Sequence, residues 1–202
     1  LLNPRIFADR IFYYEGIIED PSSLVELIEA TDETLTENDA IHKWNTWKAS
    51  KELDTDEDYI FGYQKQTDST RLGTSSQQVK HIYNTLYNTL LLAGDHYFEA
   101  LGIEKVSPSP LSISKYVIGA SMGPHVDYHG ESDIEPIMSG VIYLNDDVRG
   151  GELHFRDQEI TIKPKAGSIV IFPSVEPYYH ESLPVESGVK YMSPVFWIKR
   201  FN

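Results

Sequence analysis

His125 and Asp127 stand two apart in Gly123-Pro124-His125-Val126-Asp127, and a second histidine, His180, follows in Tyr178-Tyr179-His180-Glu181-Ser182. Side chains on a strand repeat every second residue, so an imidazole and a carboxylate with one residue between them leave the same face. Two imidazoles and one carboxylate form a facial donor set that suits Fe(II) and leaves three coordination positions open for a chelating co-substrate and for O2. Ten positions beyond His180 comes a cation, Lys190, in Gly188-Val189-Lys190-Tyr191. A lone His-x-Asp tripeptide is equally compatible with a plain hydrogen-bonded pair. What sets this one apart is the order of the segments that would carry it.

From Leu111 onward the texture is of short β-rich segments separated by turn residues. The candidate strands are Leu111–Ile118, His125–Tyr128, Gly140–Asn145, Glu152–Arg156, Glu159–Lys163, Ser168–Phe172, Tyr179–Val185 and Val189–Arg200. Gly119, Asp146-Asp147, Gly150-Gly151, Pro164 to Gly167 and Ser187-Gly188 punctuate them. Eight short strands at this spacing predict a double-sheet jelly roll or barrel. His125 and Asp127 fall on an early strand, His180 on a later one and Lys190 one strand beyond.

The first half of the chain reads as support. Arg10 to Tyr14 has β-forming composition and predicts an early strand beside the main sheet. Asp20-Pro21 opens a helix, with Asp as N-cap, Pro in the first turn and Leu24, Leu27 and Ile28 on one face, ending near Ala30. Thr31 to Asp39 is acidic, without periodicity, and reads as a loop. The strongest helix pattern is Val79, Ile82, Tyr83, Leu86, Leu90, Ala93, Tyr97 and Leu101, capped by Ser75 with Gln78 and stopped at Gly102. Such a stripe predicts a helix laid against a sheet. Its His81 and His96 are off the metal pattern and read as surface or satisfied polar residues. Trp44 and Trp47 would share a helical face, either lining a groove or packing at the domain edge, and packing is the preferred reading. The polar stretch Thr67 to Ser76 is either a lid or an ordinary connection.

At 202 residues the chain is expected to be one domain, 1–202, with residues 1–110 as helical support and substrate-side loops and 111–202 as the catalytic core. The net charge of −14 argues against a polyanionic partner, because nucleic-acid binding needs a cationic face. There is no cysteine, so any metal must be held by imidazole and carboxylate. No apolar run reaches the length of a membrane span and the first residues show no signal pattern, so a soluble, cytoplasmic protein is expected, with no membrane partner.

Residues from about Leu111 to the C-terminus resemble the Fe(II)- and 2-oxoglutarate-dependent dioxygenases, most closely the prolyl 4-hydroxylase-like branch. The matching text is Tyr116 nine residues ahead of His125-Val126-Asp127, then Val141-Ile142-Tyr143-Leu144-Asn145, Gly150-Gly151-Glu152-Leu153, Lys165-Ala166-Gly167-Ser168-Ile169-Val170-Ile171-Phe172, and His180 with Lys190. The resemblance implies an α+β, mainly β fold: a double-stranded β-helix, or jelly roll, with the N-terminal helices packed on one sheet. It implies Fe(II) held by His125, Asp127 and His180, and 2-oxoglutarate as co-substrate with its distal carboxylate on Lys190. Lysine supplies a point charge rather than a fork, so a second donor is useful there. Tyr143 is implied as that donor and Tyr116 as a further hydroxyl lining the pocket. O2 and, as reductant, ascorbate complete the set, with a peptide or protein as the implied substrate.

Two positions depart from the family pattern. Pro194, four past Lys190, predicts a bulge or an edge in a strand that should lie in the core, and leaves the role of Ser193 open. Met122 stands near His125 where some prolyl hydroxylases carry a tyrosine, which bears on substrate identity. His129 reads as a loop residue or an outer partner of the site, His154 as facing out and Arg149 as a solvated turn residue, while Tyr178 and Tyr179 either pack on the site or fill the barrel. Two alternatives stay beside prolyl hydroxylation: the same chemistry on a free amino acid or other small molecule, and a catalytically silent jelly-roll module whose metal is structural.

Overall fold

The computed structural model describes residues 2–34, 45–46, 63–66, 77–128 and 134–200. In chain order its elements are β1 (Arg5–Ala8), β2 (Ile11–Tyr14), α1 (Pro21–Thr34), β3 (Asn45–Thr46), β4 (Tyr63–Gln66), α2 (Gln77–Leu101), β5 (Ser107–Pro108), β6 (Ser112–Tyr116) and β7 (Met122–His125). There follow β8 (Ile134–Tyr143), β9 (Arg149–Gly150), β10 (Leu153–Phe155), β11 (Ile160–Ile162), β12 (Ser168–Pro173), β13 (His180–Ser182), β14 (Val185–Ser187) and β15 (Lys190–Arg200).

The large sheet runs β1-β2-β12-β8-β15-β6-β4-β3, with β5 also paired to β15. The smaller sheet runs β11-β10-β13-β7, and β14 pairs β9 on its own. Pairing is antiparallel throughout, as in Val170 opposite Val141 and Tyr13. Both faces of the central strands are covered, which is why β12 and the Val141–Tyr143 end of β8 read as continuous apolar runs rather than as alternating ones. Ile142, Ile169 and Ile171 face a core shared with Leu86, Leu90 and Tyr97 of α2. Their neighbours Val141, Tyr143, Val170 and Phe172 face a second core shared with Leu153, Phe155 and Ile162 of the small sheet. Mainly β, with two helices on one sheet, is thus the observed architecture.

The α2 stripe holds: Val79, Ile82, Leu86, Leu90, Ala93 and Tyr97 are buried. Gly102 ends the helix at φ +63, with its N–H on the Glu99 carbonyl and that of Ile103 on the Phe98 carbonyl. Gly94 is where α2 meets the large sheet, since a Cβ there would lie 2.6 Å from Trp197 Cζ2. Gly94→Ala is expected to cost about 1–3 kcal/mol by overpacking, read as a lowered Tm with a shift in tryptophan emission.

Several expectations are corrected. Asp20 caps α1 through the Ser23 N–H at 3.1 Å, but the helix continues to Thr34 rather than stopping near Ala30, taking in Thr31 to Thr34 from the expected loop. The early strand is a hairpin of β1 and β2 turning at Arg10, φ +64, and β2 lies within the large sheet rather than beside it. The expected strand Tyr179–Val185 is two, β13 and β14, in different sheets. Pro194 causes no bulge, since β15 runs through it opposite Val141 with its register shift at Trp197/Ile198, and the expected edge is present only locally. On its other side β15 pairs β6 only to Met192 and β5 only from Trp197. Phe196, of the same parity as Pro194, turns its N–H and C=O to Ser109 on that side, so the missing proline N–H falls in a gap where no ladder needs it. Trp44, Trp47, the stretch Thr67 to Ser76 and His129 lie outside the described residues. No helix among the described residues is long and apolar enough to cross a membrane.

Candidate metal and oxo-acid site

The two histidines meet by strand register. β7 pairs β13 with His125 directly opposite His180, and the imidazole centroids are 4.3 Å apart. His180 is also opposite Phe155 of β10, and the Phe172 ring packs edge-on against it at 4.5 Å. Asp127 arrives differently from the period-two expectation, because β7 ends at His125 and the predicted strand His125–Tyr128 does not form. The chain bends there, and the N–H groups of Asp127 and Tyr128 both donate to the Ser174 carbonyl, at 3.0 and 3.1 Å. This turn brings Asp127 Oδ1 to 3.5 Å from His125 Nε2, and Oδ2 to 3.5 Å from His180 Nε2. Donor atoms of all three residues lie within 4.8 Å of one another, the spread of groups able to share one ion.

The donor chemistry fits a divalent metal. His125 Nδ1 lies 2.8 Å from the Gly123 carbonyl and His180 Nδ1 3.2 Å from the Tyr178 carbonyl. A carbonyl only accepts, so each Nδ1 carries the proton and each Nε2 keeps its lone pair for the shared position. Burial lowers the His180 imidazole to about 4, against a smaller opposing pull from Asp127, so it is neutral at physiological pH. Burial also opposes charge on His125 and Asp127, but the hydrogen bond and attraction between them outweigh it, holding the imidazole above its ordinary value and the carboxyl below. Ser139 Oγ donates to Asp127 Oδ2 and lies 2.8 Å from Ser174 Oγ. Ser139→Ala is expected to weaken metal affinity about 10-fold or more while leaving the ligand set complete, as measured by Mn(II) titration.

Lys190 opens β15 opposite Tyr116 of β6 and is 2 % exposed. Its Nζ donates to the Gly151 carbonyl at 2.7 Å and to Ser182 Oγ at 2.6 Å. It also lies 4.9 Å from the Tyr116 ring centroid and 5.8 Å from that of Tyr143. Both tyrosines are buried, and burial holds their phenols well above the ordinary value, so they remain protonated donors. Lys190 forms no ion pair among the described residues; burial lowers its ammonium to about 7, which attraction to Glu152 only partly offsets. A buried ammonium with neutral partners is poised for an anion from outside the chain. A cavity lined by Tyr143, Asn145, Gly150, Gly151 and Pro164 reaches it, and none of the three metal donors lines that cavity.

Three donors around one position and a buried cation two strands further along the chain thus make up the site. Residues 111–199 match the 2OG-Fe(II) oxygenase superfamily. The match begins at the first expected strand and takes in His125, Asp127, His180 and Lys190. No curated protein sequence matches. Among solved structures the chain is similar to the viral collagen prolyl hydroxylase vCPH of Paramecium Bursaria Chlorella virus-1 in its 2OG complex, at 16% identity and a TM-score of 0.64, covering 96% of this chain and 97% of that one. It is similar to a Pseudomonas putida prolyl-4-hydroxylase, at 19% identity and a TM-score of 0.63, over 95% of this chain and 93% of that one. A Trichoplax adhaerens prolyl hydroxylase in complex with a hypoxia inducible factor peptide fragment aligns with a TM-score of 0.69 at 11% identity, over 94% and 84%. The likeness in fold covers 94–96% of this chain, beyond the stretch 111–199.

Of the residues singled out from sequence, the structure gathers His125, Asp127 and His180 at one point and Lys190, Tyr116 and Tyr143 at another. It leaves others outside: Arg149 pairs with Glu186 at 2.8 Å in an exposed turn, His154 bonds Thr161 on the surface, and His96 Nδ1 is 3.1 Å from the Tyr14 hydroxyl. Tyr178 reaches the Asp9 carbonyl, and Tyr179 bonds Glu176 beneath the Arg156 guanidinium. Ser193 donates to the Ser112 carbonyl. Ser139, Ser174 and Ser182 escaped sequence reasoning. So did the part played by Asn145, which accepts from the Tyr191 N–H and donates to the Val189 carbonyl, clamping the chain on both sides of Lys190.

Proposed function

We propose that the protein is an Fe(II)- and 2-oxoglutarate-dependent dioxygenase that hydroxylates a prolyl residue in a peptide or protein, releasing succinate and CO2. The observation that carries this reading is the convergence of two Nε2 lone pairs and one carboxylate on a single position, with a buried ammonium that lacks a carboxylate partner among the described residues. A structural metal would give no reason to bury such a cation.

His125, Asp127 and His180 would hold the iron, which with 2-oxoglutarate and O2 supplies the oxidant for C–H hydroxylation. The backbone carbonyls of Gly123 and Tyr178 fix the imidazoles, and Ser139 fixes the carboxylate, so the donors need no reorganisation on binding. Lys190 would take the distal carboxylate of the co-substrate, with Tyr143 and Tyr116 as further hydroxyls. Phe155 and Phe172 keep water from the His180 side. Prolyl hydroxylation as the outcome is supported by the likeness to the viral, bacterial and Trichoplax enzymes, one of them holding a peptide. Ascorbate would serve as reductant.

The test is succinate release from 2-oxoglutarate with Fe(II) and ascorbate, with and without proline-containing peptides. Stimulation by such peptides, lost when proline is replaced by alanine, is the expected result. Turnover stimulated only by a free amino acid or other small molecule would replace the prolyl assignment, and no turnover from folded protein with any substrate would reject the enzyme.

A further inference from the structure

One short loop holds two of the three metal donors. It joins β12 to β13 as Ser174-Val175-Glu176-Pro177-Tyr178-Tyr179. At its start the Ser174 carbonyl accepts from the Asp127 and Tyr128 N–H groups, and near its end the Tyr178 carbonyl accepts from His180 Nδ1 at 3.2 Å. The Tyr178 N–H donates to the Val175 carbonyl at 3.0 Å, which closes the loop between those two points. A carbonyl orients an imidazole only as firmly as it is itself held, and a loop offers no strand ladder to hold it. What fixes Tyr178 therefore bears on His180.

Tyr178 is fixed from the N-terminal hairpin. Its hydroxyl donates to the Asp9 carbonyl in the β1–β2 turn at 3.2 Å, and its ring packs on the same core as Phe7 and Ala8 of β1. The next carbonyl of that turn, on Arg10 at φ +64, accepts from the Tyr97 hydroxyl of α2 at 2.8 Å. Tyr97 is fully buried, so the turn is pinned to the helix and passes that support on to Tyr178. The neighbouring Tyr179 differs, because its hydroxyl stays within the loop, on Glu176 at 2.6 Å.

We propose that Tyr178 is a positioning residue for the metal: its hydroxyl, held on the β1–β2 turn, keeps its carbonyl where His180 Nδ1 needs it. The N-terminal hairpin, which lies outside the stretch 111–199, thereby takes part in orienting a ligand. The inference rests on the three donors sharing one ion, and not on which substrate is hydroxylated.

The test is metal binding by the whole chain without turnover, with Mn(II) affinity read by calorimetry and the donor arrangement by the visible absorption bands of bound Co(II). Tyr178→Phe keeps the ring and the backbone and removes only the hydroxyl. It is expected to weaken Mn(II) binding about threefold to tenfold, the scale of one hydrogen bond, and to displace the Co(II) bands. Tyr179→Phe removes the same group one residue along and is expected to leave Mn(II) affinity within about twofold of wild type, since its bond stays inside the loop. Affinity and Co(II) bands unchanged in Tyr178→Phe, or an equal loss in Tyr179→Phe, would overturn the role of Tyr178 while leaving the donor set in place. Wild-type protein that binds no Mn(II) would overturn the donor set and this inference with it.

Discussion

Asp127→Ala is expected to abolish succinate release and to weaken Mn(II) binding to the little that two imidazoles alone sustain, without unfolding the chain. The carboxylate is the only charged member of the donor set, so its loss removes most of the attraction for a divalent ion. The fold survives because the backbone does the local work: the Asp127 and Tyr128 N–H groups bond Ser174 O whatever the side chain, and Ser139 retains Ser174 Oγ as a partner. Activity should fall by more than about a thousandfold, in line with removing a member of a unit that acts together, while far-ultraviolet circular dichroism stays as in wild type. His125→Ala and His180→Ala should follow in activity. Metal binding and turnover retained in Asp127→Ala would remove the facial donor set from the account.

The second large effect is at the other end of the co-substrate. Lys190→Met keeps the volume of the stem and deletes the charge, so it is expected to raise the KM for 2-oxoglutarate about 10- to 150-fold, the scale of a charge-assisted hydrogen bond of about 1.5–3 kcal/mol. The kcat at saturating co-substrate should change little, since the lysine holds a carboxylate remote from the reacting bond. A pH dependence follows. Burial lowers the Lys190 ammonium to about 7, and only the protonated form attracts the diacid. As pH rises through 7 the free protein loses that form, so the KM for 2-oxoglutarate should climb, by up to about tenfold per pH unit. The rise ends where the ammonium of the complex, held up by the bound carboxylate, begins to titrate in turn. Lys190→Met should show no such climb. Equal losses in kcat and in kcat/KM, or a wild-type KM flat from pH 6 to 9, would speak against the lysine as the carboxylate's partner.

The donor set was legible because each member sits in a short local pattern, while the reasons it works are long-range. Asp127 illustrates this: alternation put it on the His125 face for a strand that ends two residues earlier, and the true cause is a bend fixed by the Ser174 carbonyl, 47 positions away. Ser139 was hidden because β8 begins at Ile134 rather than at the expected Gly140, and register decides that Ser139 lies beside Asp127. Ser182 was within reach, since position i+2 from a ligand on a strand shares its face. Only the return of β15 shows that the lysine comes to it. Pro194 shows the opposite limit. A local rule predicted a bulge or an edge; no bulge forms, and the edge is only the gap between β6 and β5, where the donor that proline lacks is not needed. The helices were read with least difficulty, because the α2 stripe needs no partner to be recognised, although α1 ran on through polar residues that carried no apolar signal.

The central claim is that one metal ion and one diacid are held by these particular atoms. Diffraction from crystals of the protein grown with Mn(II) and 2-oxoglutarate, with anomalous data collected for manganese, tests it most directly. The account expects a single anomalous peak bonded to His125 Nε2, an Asp127 carboxylate oxygen and His180 Nε2, with the far carboxylate of the acid on Lys190 Nζ. Manganese bound elsewhere, or the diacid seated with its far carboxylate away from Lys190, would contradict it.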